Sequence, residues 1–396
     1  MGRQVITIPE LSMTVQVSVV LPCLNERETV GVCVSKAKNT MRDLGIEGEV
    51  IVADNGSTDG SDQIAKSLGA IVVSEPAKGY GNAYRAGISA ASGEYIVIAD
   101  SDDSYDLTDI GRFIEPLKNG YEFVIGTRLK GKIEKGAMPW LHRYLGNPLL
   151  TAILNMMYGS RLSDAHCGMR SFTKTAYERM NLQTTGMEFA SEMIIKAAQF
   201  GLLTKELPIT LYPDGRSGRP HLRSFRDGWR HLRFMLLHSP TYLYFFPGTA
   251  LFLLGMLILF VLLRGPLYIA GRLFDLHIMV LGSLFAILGY QIINIGFYAR
   301  IYAARQNFVP EGQTLRKLFK LFNLERGLLV GVLIFLIGFF TDFYILMSWI
   351  LSGFGPLNKV RLALLASTFI IIGTQTIFSS FFLSMLGIET RPPDKI

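Results

Sequence analysis

The chain has few cysteines and no hydrophobic segment at its start, and each absence argues against a class of protein. Three cysteines, Cys23, Cys33 and Cys167, occur in 396 residues, and none of their spacings is typical of a metal site. So few thiols favour a reduced, cytosolic setting over a secreted one. Residues 1–11 lack the apolar core of a secretory signal, so we expect no cleaved leader there.

Hydrophobic residues make up 49% of the chain, and they are concentrated in its second half. Four apolar runs are each long enough to cross a hydrocarbon core of about 30 Å. These predicted membrane spans are residues 241–263, 276–299, 327–350 and 362–386. The loop at 300–326 is the richest in Lys and Arg, which predicts that this loop and both termini are cytoplasmic. We therefore expect an integral membrane protein with a cytoplasmic globular domain at 1–213, a linker at 214–240 and a membrane domain at 241–396.

Positive charge is concentrated beside and between the predicted spans. Residues 214–240 carry six arginines against two aspartates. In LRSFRDGWRHLRFMLLH (222–238), apolar residues recur every three or four positions, with arginines one residue along. This pattern predicts an amphipathic helix lying in the lipid headgroup layer, and a helix packed on the globular domain is the alternative. The partner indicated by the charge is anionic lipid, not nucleic acid.

The globular part alternates β-rich apolar runs with helical patterns. We predict strands at 17–22, 49–54, 70–75, 94–100 and 121–127, with helices between them. This alternation is typical of an α/β fold with a mainly parallel sheet. Ligands bind beyond the carboxyl ends of the strands in such sheets. Polar residues such as Asn25, Glu26, Asp54 and Asp100 lie at those ends.

The stretch IVIADSDDSYDL (96–107) ends an apolar strand on Asp100, Asp102 and Asp103, with Asp106 just behind. Carboxylates crowded in this way repel one another unless a cation or protons neutralise them. A polar turn with Asp106 capping a helix would account for any single aspartate. As a group, Asp100 and Asp102 predict a site for a hard cation, Mg²⁺ or Mn²⁺.

The glycine-rich stretch KGYGNAYRAG (78–87) has two interpretations. It lacks the third glycine and the strand junction of a dinucleotide-binding fingerprint. It is either a flexible turn before a helix or a phosphate site made by Lys78 and the amides at a helix start.

Six motifs stand in the order and spacing of one enzyme family: LPCLNE (21–26), VADNGSTDGS (52–61), KGYGNA (78–83), ADSDDS (99–104), IGTR (125–128) and SDAHCGMRSF (163–172). Over about residues 15–240 the chain resembles the inverting family 2 glycosyltransferases. The branch it resembles most is that of the polyprenyl-phosphate sugar synthases, such as dolichyl-phosphate mannose and glucose synthases. The resemblance implies a GT-A fold, a nucleotide-sugar donor and a divalent metal. The four C-terminal spans also resemble one subgroup.

The resemblance also implies roles for residues at the strand ends. It places Pro22, Leu24 and Glu26 at the nucleoside, Asp54 at the base or ribose, Lys78 and Gly79 near the diphosphate, and Asp100 and Asp102 at the metal. Relatives often carry an aromatic residue where Leu24 stands. The loop PDGRSGRP (213–220) is expected to close over the donor, with Arg216 or Arg219 on the diphosphate.

On the acceptor side, Asp164 matches the acidic residue proposed as catalytic base in the family, and a turn cap is the alternative. Arg128 and Arg170 are the favoured cations for an acceptor phosphate, with Lys130 and Lys132 as further candidates.

The resulting hypothesis is transfer of a hexose to a polyprenyl phosphate, undecaprenyl or dolichyl, at the cytoplasmic membrane face. UDP-glucose is the favoured donor, with GDP-mannose and UDP-N-acetylglucosamine as alternatives, and a homo-oligomer is left open. A processive polysaccharide synthase is disfavoured because no Arg-Trp pair precedes the spans. A flippase or scaffold with an inactive domain is disfavoured because every acidic motif position is retained.

Overall fold

The computed structural model describes residues 15–216, 224–305 and 324–387. The chain divides into two compact units after Met235, within the predicted linker 214–240. Arg219, which was expected as an alternative to Arg216 on the diphosphate, lies outside the described residues. Most of the basic loop 300–326 lies outside them as well.

Seven strands form the sheet of the first unit: β1 (Val17–Cys23), β2 (Gly48–Asp54), β3 (Ile71–Ser74), β4 (Tyr95–Ile98), β5 (Phe123–Ile133), β6 (Arg170–Thr173) and β7 (Thr204–Leu211). Their order across the sheet is β3-β2-β1-β4-β6-β5-β7. The pairs β1–β2, β1–β4, β2–β3 and β5–β7 are parallel, whereas β6 runs antiparallel to both β4 and β5. The predicted mainly parallel sheet is confirmed.

The five predicted strands are confirmed, but β6 and β7 were not foreseen. The four residues of β6, RSFT, contain one large apolar side chain, Phe172, and so give no alternating or continuous apolar signal. It pairs in register with β4, with Ile98 opposite Arg170. The strand therefore brings the segment before Arg170 to the end of β4.

The first unit also contains the helices α1 (Val30–Asp43), α2 (Ser61–Ser67), α3 (Tyr80–Ser89), α4 (Ile110–Lys118), α5 (Asn147–Tyr158), α6 (Lys174–Met180) and α7 (Phe189–Gln199). Nearly every residue of β1 and β4 is buried, as is the end of β2. Strands covered on both faces are continuous apolar runs without alternation, which is why the sequence signal for them was strong.

The predicted helix after the first unit's sheet is present as α8 (Ser224–Leu237). Phe234 and Met235 belong to the buried core of the first unit, and the Tyr158 hydroxyl donates to the Met235 carbonyl at 2.7 Å. Trp229 is 59% exposed. One side of α8 thus packs on the globular unit, as the alternative interpretation expected, while its aromatic side chain at 229 faces outward.

The second unit contains four long helices, α9 (Phe246–Leu263), α10 (Leu276–Arg305), α11 (Leu324–Leu351) and α12 (Val360–Gly387), and a short hairpin of β8 (Leu267–Ile269) and β9 (Arg272–Phe274). The segments long and apolar enough to cross a membrane are Thr241–Leu263, Leu276–Ala304, Leu324–Leu351 and Val360–Leu386. They confirm the four predicted spans, with ends shifted by a few residues.

Candidate active site

A cleft of about 210 Å³ lies at the carboxyl ends of β1 and β4. Residues from both strand ends and from the loop after β7 converge there, because the ends of parallel strands meet at one edge of the sheet. Six of the residues predicted for the donor or metal line the cleft: Pro22, Leu24, Glu26, Asp100, Asp102 and Arg216. The structure therefore brings these six predicted residues together in one cleft.

Asp100 lies against two tyrosine hydroxyl groups in the cleft. The Tyr80 hydroxyl donates to its Oδ1 at 2.9 Å, and the Tyr84 hydroxyl lies 3.4 Å from the same oxygen. Burial, followed by the neighbouring charge of Asp102, raises the pKa of Asp100 to about 6. A Cβ atom at Gly168 would lie 2.6 Å from its Oδ2, so a side chain there would collide with the carboxylate. The site thus holds a carboxylate that a nearby cation would stabilise.

Asp102 is held by the turn that follows it. Its Oδ1 accepts from the Ser104 hydroxyl at 2.6 Å and from the Ser104 amide at 3.1 Å. Asp103 instead takes a positive φ of 59° and forms an ion pair with Lys36 at 2.7 Å. Of the three clustered aspartates, Asp100 and Asp102 therefore line the cleft, and Asp103 is neutralised elsewhere.

Arg216 connects the two sides of the cleft. Its Nε donates to Glu26 Oε2 at 2.8 Å, and its Nη2 donates to Asp102 Oδ2 at 3.0 Å. The Gly215 amide donates to the Asp102 carbonyl at 2.9 Å, which fixes the loop beside the aspartates. Burial raises the pKa of Glu26, and the Arg216 charge opposes that rise. Arg216 thus provides one positive charge between two partly buried carboxylates.

The carboxylates of Asp100 and Asp102 are suitable ligands for a divalent metal, although they would not complete its coordination. Among the residues described, no group of three or more His, Cys, Asp or Glu side chains could hold a metal ion alone. Mg²⁺ is commonly bound by one or two carboxylates together with substrate phosphates and waters. The pair therefore fits a metal that shares its ligands with a diphosphate.

Three predicted donor residues support the cleft without lining it. Asp54 accepts from the amides of Gly56 and Ser57, and Lys78 donates to the Asn55 carbonyl at 2.8 Å. The Gly79 amide donates to Asn55 Oδ1 at 2.8 Å. Gly79 has a φ of 148°, and a Cβ there would lie 2.2 Å from a backbone oxygen, so only glycine fits. These residues shape the loop that presents Asn55 to the cleft.

Asp164 and Arg128, predicted as base and acceptor-binding cation, bind each other. Arg128 Nε and Nη2 donate to the two Asp164 oxygens at 2.7 and 2.8 Å, and the Arg128 amide adds a third bond at 3.1 Å. The Asp164 side chain is fully buried, and that of Arg128 is 10% exposed. Burial acts to raise the pKa of Asp164, but Arg128 outweighs it and the net pKa is lowered. The pair is a buried, bidentate ion pair.

Arg170, the second predicted phosphate-binding cation, is enclosed by backbone. Its guanidinium donates to the carbonyls of Cys167, Ala190 and Ala165 at 2.9, 2.7 and 3.2 Å. It is 1% exposed, and burial lowers its pKa. In this arrangement the side chain braces the loop that carries Asp164. Lys130 instead pairs with Glu206 at 3.0 Å, and Lys132 pairs with Glu134 at 2.6 Å.

Several cleft residues were not predicted from the sequence. Among them are Asn55, Tyr80, Ser101, Met187 and Asp214. Asn55 lies in the motif at 52–61 and Tyr80 in the motif at 78–83. Their amide and hydroxyl groups are the sequence signal that could have identified them. Met187 lies in a segment without any motif, and only the tertiary fold brings it to the cleft.

His166 was also missed, and it lies next to the ion pair of Asp164. Its ring packs against that of His231 on α8, with centroids 4.9 Å apart. Its Nε2 is buried without a hydrogen-bond partner among the described residues. Burial, followed by the His231 charge, lowers its pKa to about 3. The imidazole is therefore held neutral.

Comparison with protein families gives two adjacent matches. Residues 18–180 match the family described as glycosyl transferase family 2. Residues 297–387 match the family described as glycosyltransferase family 2 C-terminal transmembrane region.

Two relatives come from Haloferax volcanii. The low-salt glycan biosynthesis hexosyltransferase Agl6 is 38% identical over 387 residues, covering 98% of this chain and 92% of the relative. A dolichyl-phosphate hexose transferase is 30% identical over 214 residues, covering 53% of this chain and 88% of the relative. Each of the two is therefore matched over most of its own length.

Among solved structures, glucosyl-3-phosphoglycerate synthase from Mycobacterium tuberculosis, crystallised with Mn²⁺, UDP and glucosyl-3-phosphoglycerate, is similar to the first unit. It is 22% identical, covers 56% of this chain and 78% of its own, and gives a TM-score of 0.45. A likeness this distant carries no inference about ligands.

Proposed function

Since the chain belongs to glycosyltransferase family 2 and carries that family's C-terminal transmembrane region, we propose that it transfers one hexose from a nucleotide sugar to a polyprenyl phosphate. It is an integral membrane enzyme, and we place its catalytic unit on the cytoplasmic side because the basic loop 300–326 predicts that orientation. The observation that carries the proposal is the convergence of Asp100, Asp102, Glu26 and Arg216 in one cleft at the end of the sheet.

The donor would enter this cleft with its nucleoside against Pro22 and Leu24. Its diphosphate would meet the Arg216 guanidinium, which already bridges two carboxylates and can exchange a carboxylate partner for a phosphate oxygen. Asp100 and Asp102 would hold a Mg²⁺ or Mn²⁺ ion shared with the donor. That ion would stabilise the negative charge that develops on the diphosphate as the sugar leaves.

The acceptor phosphate would approach the sugar from the face opposite the diphosphate, which gives inversion. A phosphate carries a charge of about −1.5 to −2 near pH 7, so it needs little help from a base. Asp164 is consistent with this expectation, because its pKa is lowered and both its oxygens bind Arg128. We therefore propose that Asp164 orients Arg128, and that Arg128 Nη1 contacts the acceptor phosphate. Arg170 would hold the loop in place.

UDP-glucose is the donor we favour, with GDP-mannose and UDP-N-acetylglucosamine as alternatives for the same lipid. The names of the two relatives, a hexosyltransferase and a dolichyl-phosphate hexose transferase, support a hexose and a polyprenyl-phosphate acceptor. The amphipathic pattern of α8, directly before the first span, supports an acceptor that lies in the membrane.

The test incubates the purified full chain with dolichyl or undecaprenyl phosphate and each labelled nucleotide sugar, with and without EDTA. We expect one donor to give a single-sugar lipid product, no product with the chelator, and recovery after addition of Mg²⁺ or Mn²⁺. A polymeric or water-soluble product would contradict the proposed acceptor. Transfer that survives chelation would remove the metal from the mechanism.

A further inference from the structure

The four membrane helices consist of two hairpins built to the same pattern. Small residues seven positions apart occur on every helix: Gly248 and Gly255 on α9, Gly282 and Gly289 on α10, Gly331 and Gly338 on α11, and Ala366 and Gly373 on α12. Within each hairpin these residues bring the two backbones together. A Cβ at Gly255 would lie 2.5 Å from the Gly282 carbonyl oxygen, and one at Gly338 would lie 2.6 Å from that of Ala366. Small residues permit such close helix packing in membranes.

The sequences of the hairpins agree beyond these small residues. GTALFLLG (248–255) on α9 is similar to GVLIFLIG (331–338) on α11. GSLFAILGYQ (282–291) on α10 is similar to ASTFIIIGTQ (366–375) on α12, and both segments end in glutamine. We read the membrane unit as an internal duplication of one helical hairpin, in which Gln291 and Gln375 are equivalent positions.

Helices α10 and α12 meet between the two repeats and run parallel. Three pairs of hydroxyl groups join them in rising order: Ser283 with Thr368 at 2.7 Å, Tyr290 with Thr376 at 2.5 Å, and Tyr298 with Ser379 at 2.7 Å. Parallel packing of equivalent helices is what two repeats related by an axis along the membrane normal would give. In membrane proteins built from such repeats, ligand sites occur near the bilayer midplane at the repeat interface.

A cleft of about 530 Å³ is present at this interface. Its polar lining comes equally from the two helices, with Gln291, Asn294 and Tyr298 from α10 and Thr374, Gln375 and Ser379 from α12. No lining residue is charged. Gln291 and Gln375 are each the sixteenth residue of their helices, about 22 Å from the helix start at a rise of 1.5 Å per residue. The equivalent amides therefore lie near the middle of the span.

A side-chain amide this deep in a membrane span is energetically unfavourable unless it forms hydrogen bonds. The Gln375 Oε1 atom is buried without a hydrogen-bond partner among the described residues. The hydroxyl pairs already join α10 to α12, so the glutamines are not needed for that contact. Polar residues inside membrane spans commonly mark ligand sites or pathways. Amides, hydroxyls and the rings of Phe378 and Phe382 suit a neutral group rich in hydroxyls, such as a sugar, and the described lining residues include no cation that would bind a phosphate inside the cleft.

We propose that this cleft between the repeats binds the sugar of a polyprenyl-linked glycan, held by the equivalent amides of Gln291 and Gln375. The choice of ligand rests on the proposed function, because a lipid-linked hexose is the one product that both carries hydroxyl groups and stays in the bilayer. The membrane unit is then a second glycolipid site, separate from the cleft that performs transfer.

The test compares synthetic dolichyl-phosphate glucose with dolichyl phosphate for binding to the full chain in lipid nanodiscs. Gln291→Leu combined with Gln375→Leu is expected to weaken binding of the glucosylated lipid about tenfold, the equivalent of 1.4 kcal/mol, without changing binding of the unglucosylated lipid. The matched control is Thr341→Val on α11, which removes a polar group from a span outside the cleft and should change neither affinity.

A second measurement needs no variant. A photoactivatable glucosyl lipid should cross-link to peptides containing residues 291–298 or 374–382 of the wild-type chain. Three results would each overturn the proposal: equal affinity of the wild-type chain for both lipids, no effect of the double variant, or cross-links confined to residues 15–216.

The oligomeric state provides a further check. A changed oligomeric mass of the double variant with unchanged lipid affinity would overturn the proposal as well, since a second copy would then occupy the cleft. Binding at the cleft without any hexose transfer would support this site and contradict the proposed function.

Discussion

Two carboxylate centres of the catalytic unit differ in how their charge is balanced. Asp100 and Asp102 line a cleft, and the cation beside them, Arg216, comes from a loop and is shared with Glu26. Asp164 is fully buried, and both of its oxygens bind one arginine that also belongs to the core. A cation that lies on a loop and is shared between two carboxylates can be replaced by a ligand. Separating a buried ion pair instead requires a large free energy. The first centre is therefore suited to exchanging its cation for a ligand, and the second to holding Arg128 in the fixed orientation that we propose for contact with the acceptor phosphate.

The largest difference between the centres should be seen with Asp102→Asn. We expect transfer to fall about a thousandfold, because the proposed metal would lose one of its two carboxylate ligands, while the melting temperature barely changes. Initial rates with the preferred donor would measure it. Asp103→Asn is the matched control, since Asp103 lies next in sequence but pairs with Lys36, and its rate should stay within about twofold. Equal losses in both variants would show that the cleft does not distinguish these aspartates.

Asp164→Asn should lower the stability of the fold, whereas Asp102→Asn should lower the rate of transfer. Removing one partner of a buried ion pair typically costs about 3–5 kcal/mol, because the remaining charge is left uncompensated. Thermal melting of the full chain in detergent would show the loss. The control Asp109→Asn breaks an exposed pair with Arg112 and should cost less than about 1 kcal/mol. Similar melting temperatures for the two variants would refute the structural role of the buried pair.

A smaller effect is expected from Arg216→Gln. The KM for the nucleotide sugar should rise about tenfold, since a charge-assisted contact to the diphosphate is lost, and the melting temperature should change little. Steady-state kinetics over a range of donor concentrations would separate KM from kcat. A change confined to kcat would mean that Arg216 acts on the reacting groups and not on donor binding.

A further expected effect concerns the acid sensitivity of the fold near the buried Asp164–Arg128 pair. The pKa of His166 is about 3 in the folded chain, against about 6.5 for an unfolded histidine. Between these values the unfolded chain binds a proton that the folded chain does not, so stability falls as the pH falls. By this linkage the wild type should lose about 2 kcal/mol more stability than His166→Asn between pH 7 and pH 5, because the other titrating groups, Asp100 among them, contribute equally to both proteins. Parallel melting curves of the two proteins over this range would contradict the prediction.

How far the sequence predicted the site depends on whether the interactions are local. Asp100 and Asp102 follow a strong apolar strand, and a parallel sheet brings strand ends together, so their cleft could be foreseen. The pairing of Asp164 with Arg128 joins segments far apart in sequence, and each residue alone suggested a different role. Arg170 was predicted to bind the acceptor phosphate because nothing local shows that three carbonyl groups would surround it.

The short reversed strand β6 has a consequence for the order in which the catalytic unit is completed during synthesis. In the described part of the chain, β6 alone is hydrogen-bonded to both β4 and β5, and it therefore joins the two halves of the sheet. Until Thr173 has left the ribosome, β4 has an unpaired edge, and the loop carrying Asp164 is held by Arg128 without the pairing of β6. A nascent chain in which Asp100 and Asp102 are already synthesised would thus still lack the residues that complete the cleft around them.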